Sequence, residues 1–260
     1  MKIATWNINS VRLRFGLLKR LVETENPDVI CLQETKTQDE FFPKADAASL
    51  GYKHQIIRGE KSYNGVAILS RQPITEINHQ DWCKKGDCRH LTAKLKNGVI
   101  LHNFYVPAGG DIPDPKLNQK FAHKLQFLKE MTAHFKAGKP TPSILLGDLN
   151  VAPHEHDVWS HKQLLDVVSH TPVETNLLMR LQKTWDWVDA ARHFTPMEEK
   201  LYSWWSYRAA DWKKSNRGRR LDHIWTTPDL QKDLRAIHHL KDVRDWTQPS
   251  DHVPVVAEIG

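Results

Sequence analysis

The chain has 260 residues, 40% of them hydrophobic and 26% charged, with a formal net charge of +6. That mixture is ordinary for a globular protein, and no apolar run approaches the ~18 residues of a membrane span. The positive balance and an isoelectric point near 9.1 favour an anionic partner such as nucleic acid. A strand-like stretch starts at Lys2 and leaves no room for a signal peptide, so a cytoplasmic protein is expected. No linker, low-complexity run or strong repeat interrupts the chain, and residues 1–260 read as one domain, with a monomer as the default.

The first predicted strand runs from Lys2 to Ile8 and ends in Asn7 and Asn9, two apart. Ser10 is placed to cap a helix whose apolar face is Leu13, Leu17 and Leu21, with Leu18 and Val22 beside them. Arg12, Arg14, Lys19 and Arg20 stay off that face. Pro27-Asp28 breaks the helix, and Val29 to Leu32 is a buried strand that ends in Gln33-Glu34. This strand–helix–strand order implies parallel strands, so Asn7 and Glu34 should emerge at one edge of the sheet. Cys31 reads as a core thiol. Tyr52 to Arg58 and Val66 to Leu69 are strands on either side of a turn that contains Asn64-Gly65. Cys83 and Cys88, with His79 and His90 nearby, do not have a standard zinc spacing.

Arg89 to Leu95 and Val99 to Val106 flank Asn97-Gly98, a hairpin signal. The second of these strands ends at Tyr105. Residues 108–118 form a loop, and the spacing of Phe121, Leu125, Leu128, Thr132 and Phe135 predicts a helix that stops before Gly138. Ile144-Leu145-Leu146 reads as the body of a buried strand, followed by Gly147, Asp148 and Asn150. If extended geometry continues, Asp148 and Asn150 share one side. Residues 151–172 are polar, rich in histidine and irregular, with no assigned role. Thr175 to Ala191 is predicted as a helix with Leu178, Leu181, Trp185 and Val188 inward. Residues 200–220 hold seven Lys or Arg against one acid, Asp211, interleaved with Tyr202, Trp204, Trp205, Tyr207 and Trp212. Leu221 to Trp225 and Val253 to Ile259 are strands, and Pro249-Ser250-Asp251-His252 precedes the last.

Polar residues thus sit at strand edges at Asn7, Glu34, Tyr105, Asp148 with Asn150, and Asp251 with His252. Each alone is more often a cap or turn residue. Asp222, inside an apolar strand, fits equally a carboxylate that satisfies a core hydroxyl or Arg219. Together they form a set of oxygen donors without thiolates, which suits a hard cation such as Mg²⁺ or Mn²⁺.

The ordered series NIN, LQETK, NGVAILS, YVP, GDLN, WWSYR, RRLDHIW and SDHVP resembles the endonuclease/exonuclease/phosphatase superfamily. Within it the chain resembles the exonuclease III, or apurinic/apyrimidinic endonuclease, family from Met1 to the C-terminus. The resemblance implies an α/β fold, a four-layer α/β sandwich of two packed mixed β-sheets flanked by helices. It implies Mg²⁺-dependent hydrolysis, with Mn²⁺ as a substitute, of the phosphodiester 5′ to abasic sites in double-stranded DNA. Trimming of blocked 3′ ends by exonuclease or phosphatase action is also implied.

By the same resemblance Glu34 is the principal metal ligand, with Asn7 and Asp251, and a second metal position falls at Asp148, Asn150 and His252. Asp148 activates water beside Asn150, His252 contacts the phosphate, Asp222 orients His252, and Tyr105 donates a proton or hydrogen bond. Trp204 and Trp212 line the abasic pocket, and Asn9, Arg12, Asn64, Arg89, Arg217 and Arg219 lie on the DNA side. The chain departs from the family at Ala108, where relatives often carry an amide. A phosphatase acting on a small phosphorylated sugar or lipid is the alternative. A catalytically silent nucleic-acid-binding module is the third reading, and it would lack at least one of Glu34, Asp148, Asp222 and His252.

Overall fold

Alternation along the central strands decides how the layers stack. The computed structural model describes residues 1–209 and 211–260. The chain runs β1 (Lys2–Asn7), α1 (Phe15–Glu25), β2 (Val29–Gln33), α2 (Lys44–Ser49), β3 (His54–Arg58), β4 (Val66–Ser70), β5 (Ile74–Asn78), β6 (His90–Leu95), β7 (Ile100–Tyr105) and α3 (Gln119–Ala137). It continues with β8 (Ser143–Asp148), α4 (His161–Leu164), α5 (Pro172–Gln182), β9 (Val188–Asp189), α6 (Ala190–Phe194), β10 (Trp204–Trp205), α7 (Trp212–Ser215), β11 (Gly218–Arg219), β12 (Asp222–Thr226), β13 (Leu234–His239) and β14 (Val255–Ile259).

Two six-stranded sheets result, ordered β13-β14-β1-β2-β4-β3 and β5-β6-β7-β8-β12-β9. Both are mixed, with β1 parallel to β2 and β7 parallel to β8. Successive residues of a strand face opposite sides. In β1, Ile3 therefore enters the core between the sheets, while Ala4 and Trp6 face outward. The middle core joins Ile3, Cys31 and Ile68 of one sheet to Leu101, Ile144, Leu146 and Ile224 of the other. Leu18, Leu21 and Val22 of α1 cover the first sheet. Phe121, Leu125 and Leu128 of α3, with Leu178 and Leu181 of α5, cover the second. The order helix, sheet, sheet, helix is the four-layer sandwich that the resemblance implied.

Three local expectations need correction. Helix α1 starts at Phe15 rather than just after Ser10, and no side chain caps it. Asn9 and Ser10 both have positive φ, +49° and +87°, which no helical turn accommodates, so Leu13 lies in a turn and is 59% exposed. The helix expected over Thr175–Ala191 is split. It begins earlier, at a Thr171/Glu174 capping box, and stops at Gln182. Val188 and Asp189 then pair with β12, and the Asp189 side chain caps α6. Strands β5 and β13 were not anticipated. Both lie at sheet edges, and β5 is largely exposed, so neither shows a clean alternation.

Among the described residues, no helix is long and apolar enough to cross a membrane. Cys31 is buried and free, as expected.

Candidate active site

The same parity that fills the middle core brings the polar strand ends together. Ile144, Leu146 and Asp148 alternate onto the inner face of β8, and Ile3 and Asn7 onto that of β1. Leu101 and Tyr105 do so on β7, and Ile224 and Asp222 on β12, where Asp222 lies opposite Asp148 in register. Where the inner core runs out at this edge, polar groups replace apolar ones. Just beneath, Gln33 donates to Asn103 at 2.7 Å and to Thr5 at 2.9 Å, a polar bridge between the sheets. Gly147 permits the close pairing of β7 and β8, because a Cβ there would lie 1.9 Å from the Phe104 carbonyl oxygen.

Asn7 Nδ2 donates to Glu34 at 3.1 Å and to Asp148 at 2.9 Å, so one amide spans two carboxylates. Its oxygen accepts from the Asn9 N–H. The Tyr105 hydroxyl donates to Glu34 at 2.6 Å, and Lys36 Nζ lies 2.8 Å from the other Glu34 oxygen. The strand does not continue through Asn150, whose φ is +54°. That left-handed turn folds the residue back, and its backbone and side-chain N–H groups donate to Asp148 at 2.9 and 3.0 Å. His252 Nδ1 lies 2.8 Å from Asp222, and Nε2 lies 3.6 Å from Asp148. Ser203 donates to Asp222 at 2.6 Å.

The electrostatics follow from burial and neighbours. Burial opposes a charged His252, but the Asp222 and Asp148 carboxylates overcome it and lift the imidazole to about 10. Burial raises the Asp148 carboxyl above the ordinary range, with Asp222 adding to this and His252 opposing it. Burial also works on Glu34, yet Lys36, Tyr105 and Asn7 leave it below its ordinary value. Burial and the nearby Glu34 push the Tyr105 phenol well up, so it is a proton donor rather than a phenolate.

Glu34, Asn150, Asp251 and His252 line one cavity of about 590 Å³, together with Trp159, Trp204, Arg217 and Arg219. Arg219 lies over the Trp204 ring and Arg217 over Trp159, at 5.2 and 4.6 Å from the ring centroids. Trp204 Nε1 donates to Asp251 at 2.9 Å, and Asn9 donates to its other oxygen at 3.1 Å. Trp212 lies outside this cavity, contrary to the pocket role implied for it. Its indole packs edge-on against Trp205 at 5.1 Å and donates to Asp245.

Arg89 lies over the Tyr105 ring at 4.6 Å and is held by Asp87 at 2.5 Å. Arg12 lines a separate basic hollow with Lys36 and Lys61. Asn64 donates to Glu60, and its carbonyl accepts from Lys36. A wider groove of about 690 Å³ sits at the Lys2 end of β1, away from these carboxylates.

The donor set fits a hard divalent cation. It consists of carboxylate oxygens with the His252 imidazole beside them and no thiolate, and one buried Asp222 oxygen is left without a partner. Among the described residues, Asp148, Asp222 and His252 form the group whose ligand atoms all lie within 4.8 Å of one another. Cys83 and Cys88 do not belong to such a group.

Sequence reasoning missed Lys36, Ser203, Trp159 and the buried Lys124. Lys36 stands within LQETK, and Trp159 within the stretch left without a role. Nothing local marks Ser203 or Lys124.

The model of the Endonuclease/Exonuclease/phosphatase family matches residues 4–252. The chain belongs to the endonuclease/exonuclease/phosphatase family. Among curated members, an exodeoxyribonuclease III from Haemophilus influenzae is 31% identical, over 99% of each chain. Among solved structures, an AP endonuclease from Archaeoglobus fulgidus superposes with a TM-score of 0.92 at 31% identity, covering 100% of this chain and 99% of that one. A 3′ phosphatase from Neisseria bound to a product DNA hairpin gives 0.90 at 30% identity, with 100% and 99% coverage. These family members match over almost their whole length, so the cavity and its carboxylates fall within the shared fold.

Proposed function

We propose that this chain is a DNA-repair nuclease that hydrolyses the phosphodiester 5′ to an abasic site and also trims blocked 3′ ends of duplex DNA. The observation that carries this reading is that Glu34, Asn150 and His252 face the same cavity as Trp204, Arg217 and Arg219. A chemical centre and a basic, aromatic wall thus share one space. Arginines neutralise backbone phosphates without regard to sequence. An aromatic wall accepts an extruded sugar that carries no base.

The cation is Mg²⁺, with Mn²⁺ as a substitute. Glu34 and Asp251 would be its ligands, with Asn7 beside them, whereas His252 as an imidazolium has no lone pair to offer the second position at Asp148 and Asn150. When bound, it supplies positive charge that offsets charge developing on the phosphate oxygens. The protein's own groups do the rest. Asp148 accepts a proton from the attacking water, and Asn150 holds that carboxylate in place. His252, kept as imidazolium by Asp222, donates a hydrogen bond to a phosphate oxygen. Tyr105 gives a proton to the departing 3′ oxygen. The chain acts as a single-domain monomer in the cytoplasm.

The test is incision of a duplex that carries one tetrahydrofuran residue, with and without EDTA. A nick 5′ to the lesion, abolished by EDTA and restored by Mg²⁺, supports the reading. Turnover of a small phosphorylated sugar or lipid headgroup, with no incision of the duplex, rejects it in favour of a phosphatase.

A further inference from the structure

We propose that the buried Lys124–Glu174 ion pair is a positioning device that holds Asn150, and through it Asp148, in register with the cavity wall. The proposal rests on the nuclease reading above. Lys124 lies on the inward face of α3 and is fully buried, as is its partner Glu174 on α5. An apolar side chain would pack there without the desolvation that two charges incur. What an apolar residue lacks is directed hydrogen bonding.

Lys124 Nζ donates to the Asn150 carbonyl at 2.7 Å and to the Ala108 carbonyl at 3.3 Å, and it pairs with Glu174. Two N–H groups of the ammonium thus serve backbone carbonyls, while its charge faces the Glu174 carboxylate. Asn150 follows β8, which carries Asp148, and Ala108 follows β7, which carries Tyr105. The other oxygen of Glu174 accepts from the Ser169 N–H at 2.7 Å and from the Thr171 hydroxyl at 2.8 Å. Ser169 in turn accepts from Arg219 at 2.8 Å. One ion pair therefore joins three chain segments that border the cavity.

Two of these joints are in left-handed backbone, which needs outside support in a residue other than glycine. Asn150 has φ +54° and Ser169 has φ +90°. The loop after β7 closes directly over the lysine stem. At Gly109 a Cβ would lie 2.9 Å from Lys124 Cδ and 3.0 Å from Val168.

The test compares wild type with Lys124→Met/Glu174→Gln, which keeps volume and strands no charge. A second control is Leu178→Ala, a core cavity on the same helix as Glu174. On the tetrahydrofuran duplex, the double variant should lose tenfold or more in kcat with KM within about threefold. Leu178→Ala should lower the melting temperature by a similar amount and keep kcat near wild type. In the metal-free protein, amide exchange at Asn150 and Ser169 should quicken about tenfold in the double variant. If that variant does not fold, Lys124→Met alone removes the donor to Asn150 while keeping the stem's volume and the Glu174 acceptor for Ser169, and it should still lower kcat at least threefold. Unchanged kcat in the folded variant, or an equal loss in Leu178→Ala, overturns the proposal. Failure of wild type to cut the duplex instead overturns the nuclease reading.

Discussion

The imidazole of His252 is bound at Nδ1 by Asp222, 2.8 Å away, while Nε2 is turned toward Asp148 at 3.6 Å. Asp222 thereby fixes both the ring's orientation and its charge. Replacing Asp222 with Asn keeps the shape and removes the charge. The single-turnover rate should fall by about 10²-fold or more. In wild type the imidazolium persists up to about 10. In the variant, the alkaline limb of the pH–rate profile should move down by more than one pH unit. The two profiles, measured side by side, check this.

Trp204 and Trp212 carry different predictions because they face different places. Trp204→Ala removes a wall of the cavity and should lower kcat/KM on abasic duplex by about 10- to 100-fold. Trp204→Phe keeps the ring but loses the hydrogen bond to Asp251, so its loss should be smaller. Trp212→Ala should lower the melting temperature and leave kcat/KM within about twofold. Steady-state kinetics and thermal melts on the three variants decide it.

Arg217 lies at the cavity, over Trp159, with no carboxylate partner among the described contacts. If it neutralises a backbone phosphate, Arg217→Ala should weaken duplex binding. It should also reduce the slope of log Kd against log salt by about 1. Fluorescence anisotropy across a salt series measures both.

Stability should depend on the buried histidines away from the site. His102 is buried beneath α3, and burial, with His134 nearby, pulls it down to about 3. In the unfolded chain it titrates near ~6.5. Between those values the unfolded chain binds a proton that the folded chain does not, so stability is lost as pH falls. From pH 7 to pH 5 this residue alone should cost about 2 kcal/mol. Urea midpoints of wild type and His102→Gln at the two pH values give the test. The variant should lose less stability across that interval.

Much of the site could be read in the chain because a strand's period of two is a rigid rule. Once Ile144 and Leu146 are inside, Asp148 must follow them, and Asn7 follows Ile3 in the same way. The parallel β1–α1–β2 unit was legible from its order of elements. Other features depend on partners far apart in sequence. Ser203 acts on Asp222, and Lys124 acts on Asn150 from a helix whose periodicity shows only its apolar neighbours. Trp212 shares a basic, aromatic segment with Trp204, and composition alone cannot separate a residue at the cavity from one packed on Trp205. The split after Gln182 was hidden because Leu181, Trp185 and Val188 keep helical spacing across it. The capping aspartate Asp189 and the pairing with β12 override that spacing.

The central claim is that Glu34 and His252 act on one phosphate. A double-mutant cycle on the single-turnover incision rate, using Glu34→Gln and His252→Gln, tests it most directly. Groups that serve a single transition state should give a double variant little slower than the slower single one. Losses that multiply in full would contradict the account, because the two side chains would then be working independently.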